Sequence, residues 1–267
     1  MKCKMGLIKV WLSFIVFVLL FIINFGINVN IGHTQMMWFI LDACVLISAV
    51  LILIKNKFPN KKQILISLTY GLLIFIAYQG IKFSSVLTFF ITFLCSLATF
   101  SIFNRYENKA VKILKATAIK SVLLSIIIGL IVGIILGIVN LLLNDGTTDF
   151  QISISCFLTA LSPAIYEEIA LRTFIYALCI YLLKGQVNTK GKDFLCYFMM
   201  IIPHTMIHTP EQFISYGLVS GVISILLLAL LFGLPLALLQ RKRDITSAMI
   251  AHGVIDIIRF CFLGLPF

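Results

Sequence analysis

Charge is scarce in this chain: ten Asp and Glu and 21 Lys and Arg make up only 12% of its 267 residues. A soluble domain carries roughly 25%, so a surface built to face water all round is excluded. No apolar stretch alternates with polar residues in the manner of a membrane β-barrel, and that class is excluded too. The seven cysteines (Cys3, Cys44, Cys95, Cys156, Cys179, Cys196, Cys261) show no CxxC and no paired spacing. They read as small buried hydrophobes rather than as disulfides or metal ligands. The HExxH signature of zinc proteases is missing. Lysines precede the first apolar run as in a secretory signal, but no small-residue cleavage site follows, so a retained first helix is expected.

What is abundant is hydrocarbon. The chain is 61% hydrophobic, with a mean hydropathy of +1.11. Many runs reach the ~20 residues that cross a bilayer. The fold class expected is all-α, a polytopic transmembrane helix bundle of about 8–9 spans, near residues 7–29, 36–54, 63–81, 84–103, 121–143, 151–183, 194–209, 213–240 and 245–264. Residues 151–183 are too many for one straight crossing at ~1.5 Å per residue. Pro163 predicts a short lead-in helix to about 162, with the span proper after it. Gly129, Gly133 and Gly137 form overlapping GxxxG patterns, and Gly217 and Gly221 repeat the spacing; both are read as packing within one bundle.

The net charge of +11 does not point to nucleic acid. Eighteen of the 21 basic residues fall in five clusters between apolar runs: Lys2/Lys4/Lys9, Lys55/Lys57/Lys61/Lys62, Arg105/Lys109/Lys112/Lys115/Lys120, Lys184/Lys190/Lys192 and Arg241/Lys242/Arg243. The intervening connections carry Asp145, Asp149 and Glu211. By the positive-inside rule this alternation places the N-terminus and all five clusters in the cytoplasm. The expectation is a multi-pass protein of the cell membrane. Its partners would be the lipid bilayer and a hydrophobic or membrane-associated peptide, with no nucleic acid.

Chemistry is confined to the second half. Within the membrane, residues 1–143 carry Asp42 as their one ionisable exception, whereas the intramembrane polar residues cluster between 163 and 260. Residues 1–143 therefore read as scaffold helices and 144–267 as the catalytic helix bundle of the same membrane domain. A charge at bilayer depth costs ~2.5–3.5 kcal/mol even on lenient scales, so Glu167-Glu168-Ile-Ala-Leu-Arg172 in an apolar run calls for a reason. On a helix Glu168 and Arg172 are i,i+4 neighbours, so Arg172 can hold Glu168 ionised while Glu167 faces a cavity. Two carboxylates in different environments can divide into a structural acid and a general base. His204 and His208 are again i,i+4, bracketed by Pro203 and Pro210. That spacing suits a metal, or one catalytic and one supporting histidine. His252 and Asp256 repeat it, with Arg259 three residues further on. Asp256 can orient His252 or pair with Arg259.

In that order, these residues resemble the CAAX protease and bacteriocin-processing (CPBP, Abi-type) family of intramembrane endopeptidases. Its motifs are EExxxR, FxxxH and Hxxx followed by Asn or a similar residue. They match Glu167/Glu168/Arg172, His208 and His252/Asp256, over roughly residues 150–260. His204 stands where the family carries Phe, and Asp256 where it commonly carries Asn. The resemblance implies a peptide-bond hydrolase without a cofactor. Glu167 would be the base on a water that His208 fixes. His252 and Asp256 would stabilise the oxyanion, and Arg172 would hold Glu168. Three other readings stay open. One is a zinc site made of His208, His252 and one glutamate. Another is a proton-coupled transporter, since such residues also mark proton relays. The last is a non-catalytic bacteriocin self-immunity or regulatory membrane protein.

Overall fold

The computed structural model describes residues 2–27, 30–144 and 150–265. Asp145 and Asp149, on which the outward connection rests in part, lie outside the described residues. Besides one short 3-10 turn at Glu107–Lys109, the described residues form nine long helical stretches and no strand. They are α1 (Lys2–Phe25), α2 (His33–Lys55), α3 (Lys61–Ala77), α4 (Phe83–Arg105), α5 (Ile119–Leu143), α6 (Ile154–Leu182), α7 (Lys190–Ile207), α8 (Pro210–Arg243) and α9 (Ile245–Leu263). All except α3 and α7 are long and apolar enough to cross a membrane, which makes seven candidate spans. The chain is a multi-pass, all-α membrane protein.

Its helices fall into two compact units that interleave along the sequence. One contains α1, α2, the end of α4 from Leu97, and Leu171–Pro235. The other contains α3, the start of α4, α5, α6 as far as Ala170, and the chain from Leu236 onward.

In the second unit, α5 is the seat of α9. Its outer face presents Leu123, Ile127, Ile131, Ile134 and Ile138 to the surroundings, as lipid contact requires. Its inner face is the glycine stripe. A Cβ on Gly129 would stand 2.8 Å from the Ser247 carbonyl, one on Gly133 2.7 Å from the Ala251 carbonyl, and one on Gly137 2.6 Å from Ile258 Cδ1. Backbone-to-backbone approach this close needs residues without side chains. The stripe thus packs within the bundle and positions the helix that carries His252.

The second GxxxG pair works differently. Gly217 has φ 81° and ψ −179° and interrupts α8 with extended, left-sided backbone that only glycine adopts freely. A Cβ on Gly221 would meet the ring of Phe213, a residue of its own helix. Gly217 and Gly221 accommodate a kink rather than a neighbouring helix.

The start of α9 is pinned by Asp244. Its Oδ1 caps the helix by accepting from the Ser247 N–H at 2.8 Å. Its Oδ2 accepts from Ser125 Oγ at 2.6 Å and the Lys115 N–H at 3.1 Å. Burial pushes the Asp244 carboxyl up, but these hydrogen bonds outweigh it and hold the group below its ordinary range. Arg243 adds bonds from Nη2 to Ser121 and from Nε to Ser125.

Pro163 does not break the span. The α-helix runs to Ser162, and Pro163–Thr173 continues it as a π-helix with i→i+5 bonds. Proline lacks the N–H that an α-helical turn would use, and the wider turn continues the helix without it. Short π segments recur at functional sites, and this one carries Glu167, Glu168 and Arg172.

Candidate active site

In the second unit, Glu167 and Glu168 from the π-helical stretch of α6 meet His252 and Asp256 from α9. Glu168 is fully buried. Its Oε1 lies 2.7 Å from His252 Nδ1, and its Oε2 accepts from Gln240 Nε2 at 2.6 Å. The same Gln240 nitrogen donates to the Glu168 carbonyl at 3.0 Å. A carboxylate that receives two donors is held in its acceptor form. With Glu168 ionised, the His252 proton on this side sits on Nδ1.

The other face of the imidazole is more open. Nε2 lies 3.4 Å from Asp256 Oδ2 and 3.6 Å from Glu167 Oε2. Both distances exceed a direct charge-assisted bond. Asp256 Oδ2 is buried with no hydrogen-bond partner among the described residues. The Glu167 side chain keeps 13% of its surface exposed, against 0% for Glu168. The two adjacent glutamates thus occupy different environments, one locked and one accessible.

The bond to His252 Nδ1 comes from Glu168, while Asp256, which the i,i+4 spacing offered either to orient His252 or to pair with Arg259, lies 3.4 Å from the other ring nitrogen. Gln240 was not singled out at all. It sits 1% exposed at the end of a long apolar run, just ahead of Arg241-Lys242-Arg243. A buried amide at that position is the signal that could have found it. It belongs to a short π-helical turn, Leu239–Arg243.

The first unit holds the remaining motif residues. Arg172 is 2% exposed and donates from Nη2 to His204 Nδ1 at 3.1 Å. Arginine has no acceptor, so His204 Nδ1 must be the unprotonated nitrogen of a neutral ring. Its proton is then on Nε2, which faces His208 Nε2 at 3.4 Å. Arg172, His204 and His208 form a directed chain, with polarity set from the arginine end. The Trp38 ring of α2 stands edge-on to His208 at 5.0 Å and to His204 at 6.2 Å between centroids. His208, the exposed C-terminal cap of α7, is the member of this chain open to its surroundings. His204 is buried and hydrogen-bonded.

The fold and these groups define a multi-pass membrane protein with a carboxylate–histidine cluster inside its helices. Residues 149–258 match the family model described as type II CAAX prenyl endopeptidase Rce1-like. Comparison with curated proteins and with solved structures found no match.

Proposed function

We propose that the chain is an intramembrane endopeptidase of the CAAX and bacteriocin-processing type, hydrolysing a peptide bond with a glutamate-activated water. The observation that carries this reading is the pairing of an accessible Glu167 with a locked Glu168 around one imidazole, inside the region that matches the family. Glu167 takes a proton from the attacking water. His252, fixed through Nδ1 by Glu168, turns Nε2 toward the tetrahedral oxyanion and supplies positive charge there. Asp256, 3.4 Å from the same nitrogen, supports the protonated ring. Gln240 keeps Glu168 in place. Motif order, rather than geometry, adds His208 as a residue acting on the substrate or its water. The substrate class is a hydrophobic or membrane-associated peptide. The five basic clusters support a cell-membrane location with the N-terminus in the cytoplasm. The test compares, by mass spectrometry, peptides released by wild-type membranes and by Glu167→Gln membranes. Peptides present only with wild type are expected, and identical peptide sets would overturn the reading.

One observation favours a second reading. A histidine whose Nδ1 is held by a carboxylate is the usual support for a metal on Nε2, and His252 has that partner in Glu168. The glutamate mechanism predicts well under one equivalent of zinc in the purified protein and activity that survives a chelator. Stoichiometric zinc, lost together with activity, would shift the assignment to a metalloprotease.

A further inference from the structure

Among the described residues, Cys156 near the start of α6 and Cys261 near the end of α9 are both free and both buried. No sequence spacing connects them, yet they share one buried cluster with Ala160 and Phe260. Their thiols lie within hydrogen-bonding reach of each other. The surroundings are tied together as well. The Gln151 N–H donates to the Cys261 carbonyl at 2.9 Å, and Cys156 Sγ is 3.9 Å from the Gln151 carbonyl and 3.2 Å from Ser153 Oγ. Phe150 through Ile154, which include these two contacts, are exposed.

We infer that Cys156 and Cys261 form a reversible disulfide that clasps the start of α6 to the end of α9. Oxidation proceeds by exchange with a small-molecule or protein disulfide. One thiolate attacks a sulfur of the oxidant, forming a mixed disulfide and releasing the first thiol. The second cysteine, as thiolate, then displaces the other oxidant sulfur. Two protein thiols become one disulfide, and their two electrons and two protons leave on the oxidant as two thiols. The clasp lies on the two helices that carry the site. Glu167 is eleven residues beyond Cys156, and His252 nine residues before Cys261, roughly two and a half to three turns. Tethering the helix ends would brace the Glu168–His252 pair. Cys261 is also seventeen residues from Asp244, roughly 25 Å along α9 from the basic cluster at its start. On the proposed topology, that end faces the non-cytoplasmic side, where disulfides persist.

The test needs no substrate. The full-length protein, purified in detergent, is incubated with oxidised glutathione, alkylated, digested without reductant and analysed by mass spectrometry. The expected result is one dominant cross-linked species joining the Cys156 and Cys261 peptides, reversed by dithiothreitol. Cys156→Ser and, separately, Cys261→Ala should each abolish it, while the other cysteines remain alkylatable. Denaturant-unfolded protein should instead give scattered pairings. Recovery of both cysteines as alkylated monomers from the oxidised folded protein, or pairing of either with a different cysteine, would overturn the proposal.

Discussion

The sharpest test separates the two adjacent glutamates. Glu168 is fully buried, with bonds of 2.7 Å to His252 and 2.6 Å to Gln240. Each is a hydrogen bond to a charged group, a type worth about 1.5–3 kcal/mol. Glu168→Gln removes the charge from both and sets a side-chain NH₂ against the Gln240 donor or the His252 N–H. Breaking a buried pair in this way costs about 3–5 kcal/mol. Glu167 is partly exposed, its nearest His252 nitrogen is 3.6 Å away, and a neutral amide is easier to bury than a carboxylate. Glu167→Gln should therefore change stability by less than about 1 kcal/mol. Its effect belongs to turnover, which should fall by ~10²–10⁴-fold, as loss of a general base does. The assay measures both quantities on the same preparations: reversible unfolding in a denaturing detergent series, and release of the product peptide. Glu168→Gln should lose both stability and activity, whereas Glu167→Gln should lose activity alone. Equal stability losses, with activity surviving in Glu167→Gln, would make the carboxylate pair structural and refute the enzyme reading.

Four further outcomes follow from the packing. Gly133→Leu should dislodge α9, because its Cβ alone would already stand 2.7 Å from the Ala251 carbonyl. Such overpacking typically costs about 1–3 kcal/mol, and activity should be lost while Ile134→Leu, on the lipid-facing side of α5, leaves stability and turnover near wild type. His204→Phe, which matches the family motif, should destabilise the protein by about 1–3 kcal/mol, because it takes the acceptor from a buried Arg172 bond. His208→Ala, at an exposed position, should leave unfolding unchanged and abolish processing. Asp244 gives a pH dependence. Its folded carboxyl is held below the ordinary value, so its contribution is fully present above the unfolded pKa of about 3.9 and fades as pH falls through the lower folded value. Asp244→Asn should flatten that acid limb in unfolding measured from pH 6 downward.

How much was readable in advance depends on which interactions are local. Span positions come from composition, and composition is written along the chain, so the helix count was close. Glu167, Glu168, His252 and Asp256 were visible because ionisable groups at bilayer depth are costly wherever they occur. Their partners were not visible, because partner choice is a long-range matter. The i,i+4 rule that links Glu168 to Arg172 concerns a local pair and says nothing of partners on other helices. The bond from Glu168 to His252 spans 84 residues and the one to Gln240 spans 72, beyond the reach of any spacing argument. The glycine patterns make the same point from the opposite side. Gly129/Gly133 and Gly217/Gly221 have identical spacing, yet the first pair seats another helix and the second permits a kink and admits Phe213. A small residue marks where something approaches closely. Only the tertiary fold decides whether that is a neighbouring helix, a ring from the same helix or the backbone itself. The same holds for Cys156 and Cys261, 105 residues apart in sequence and members of one buried cluster in the fold.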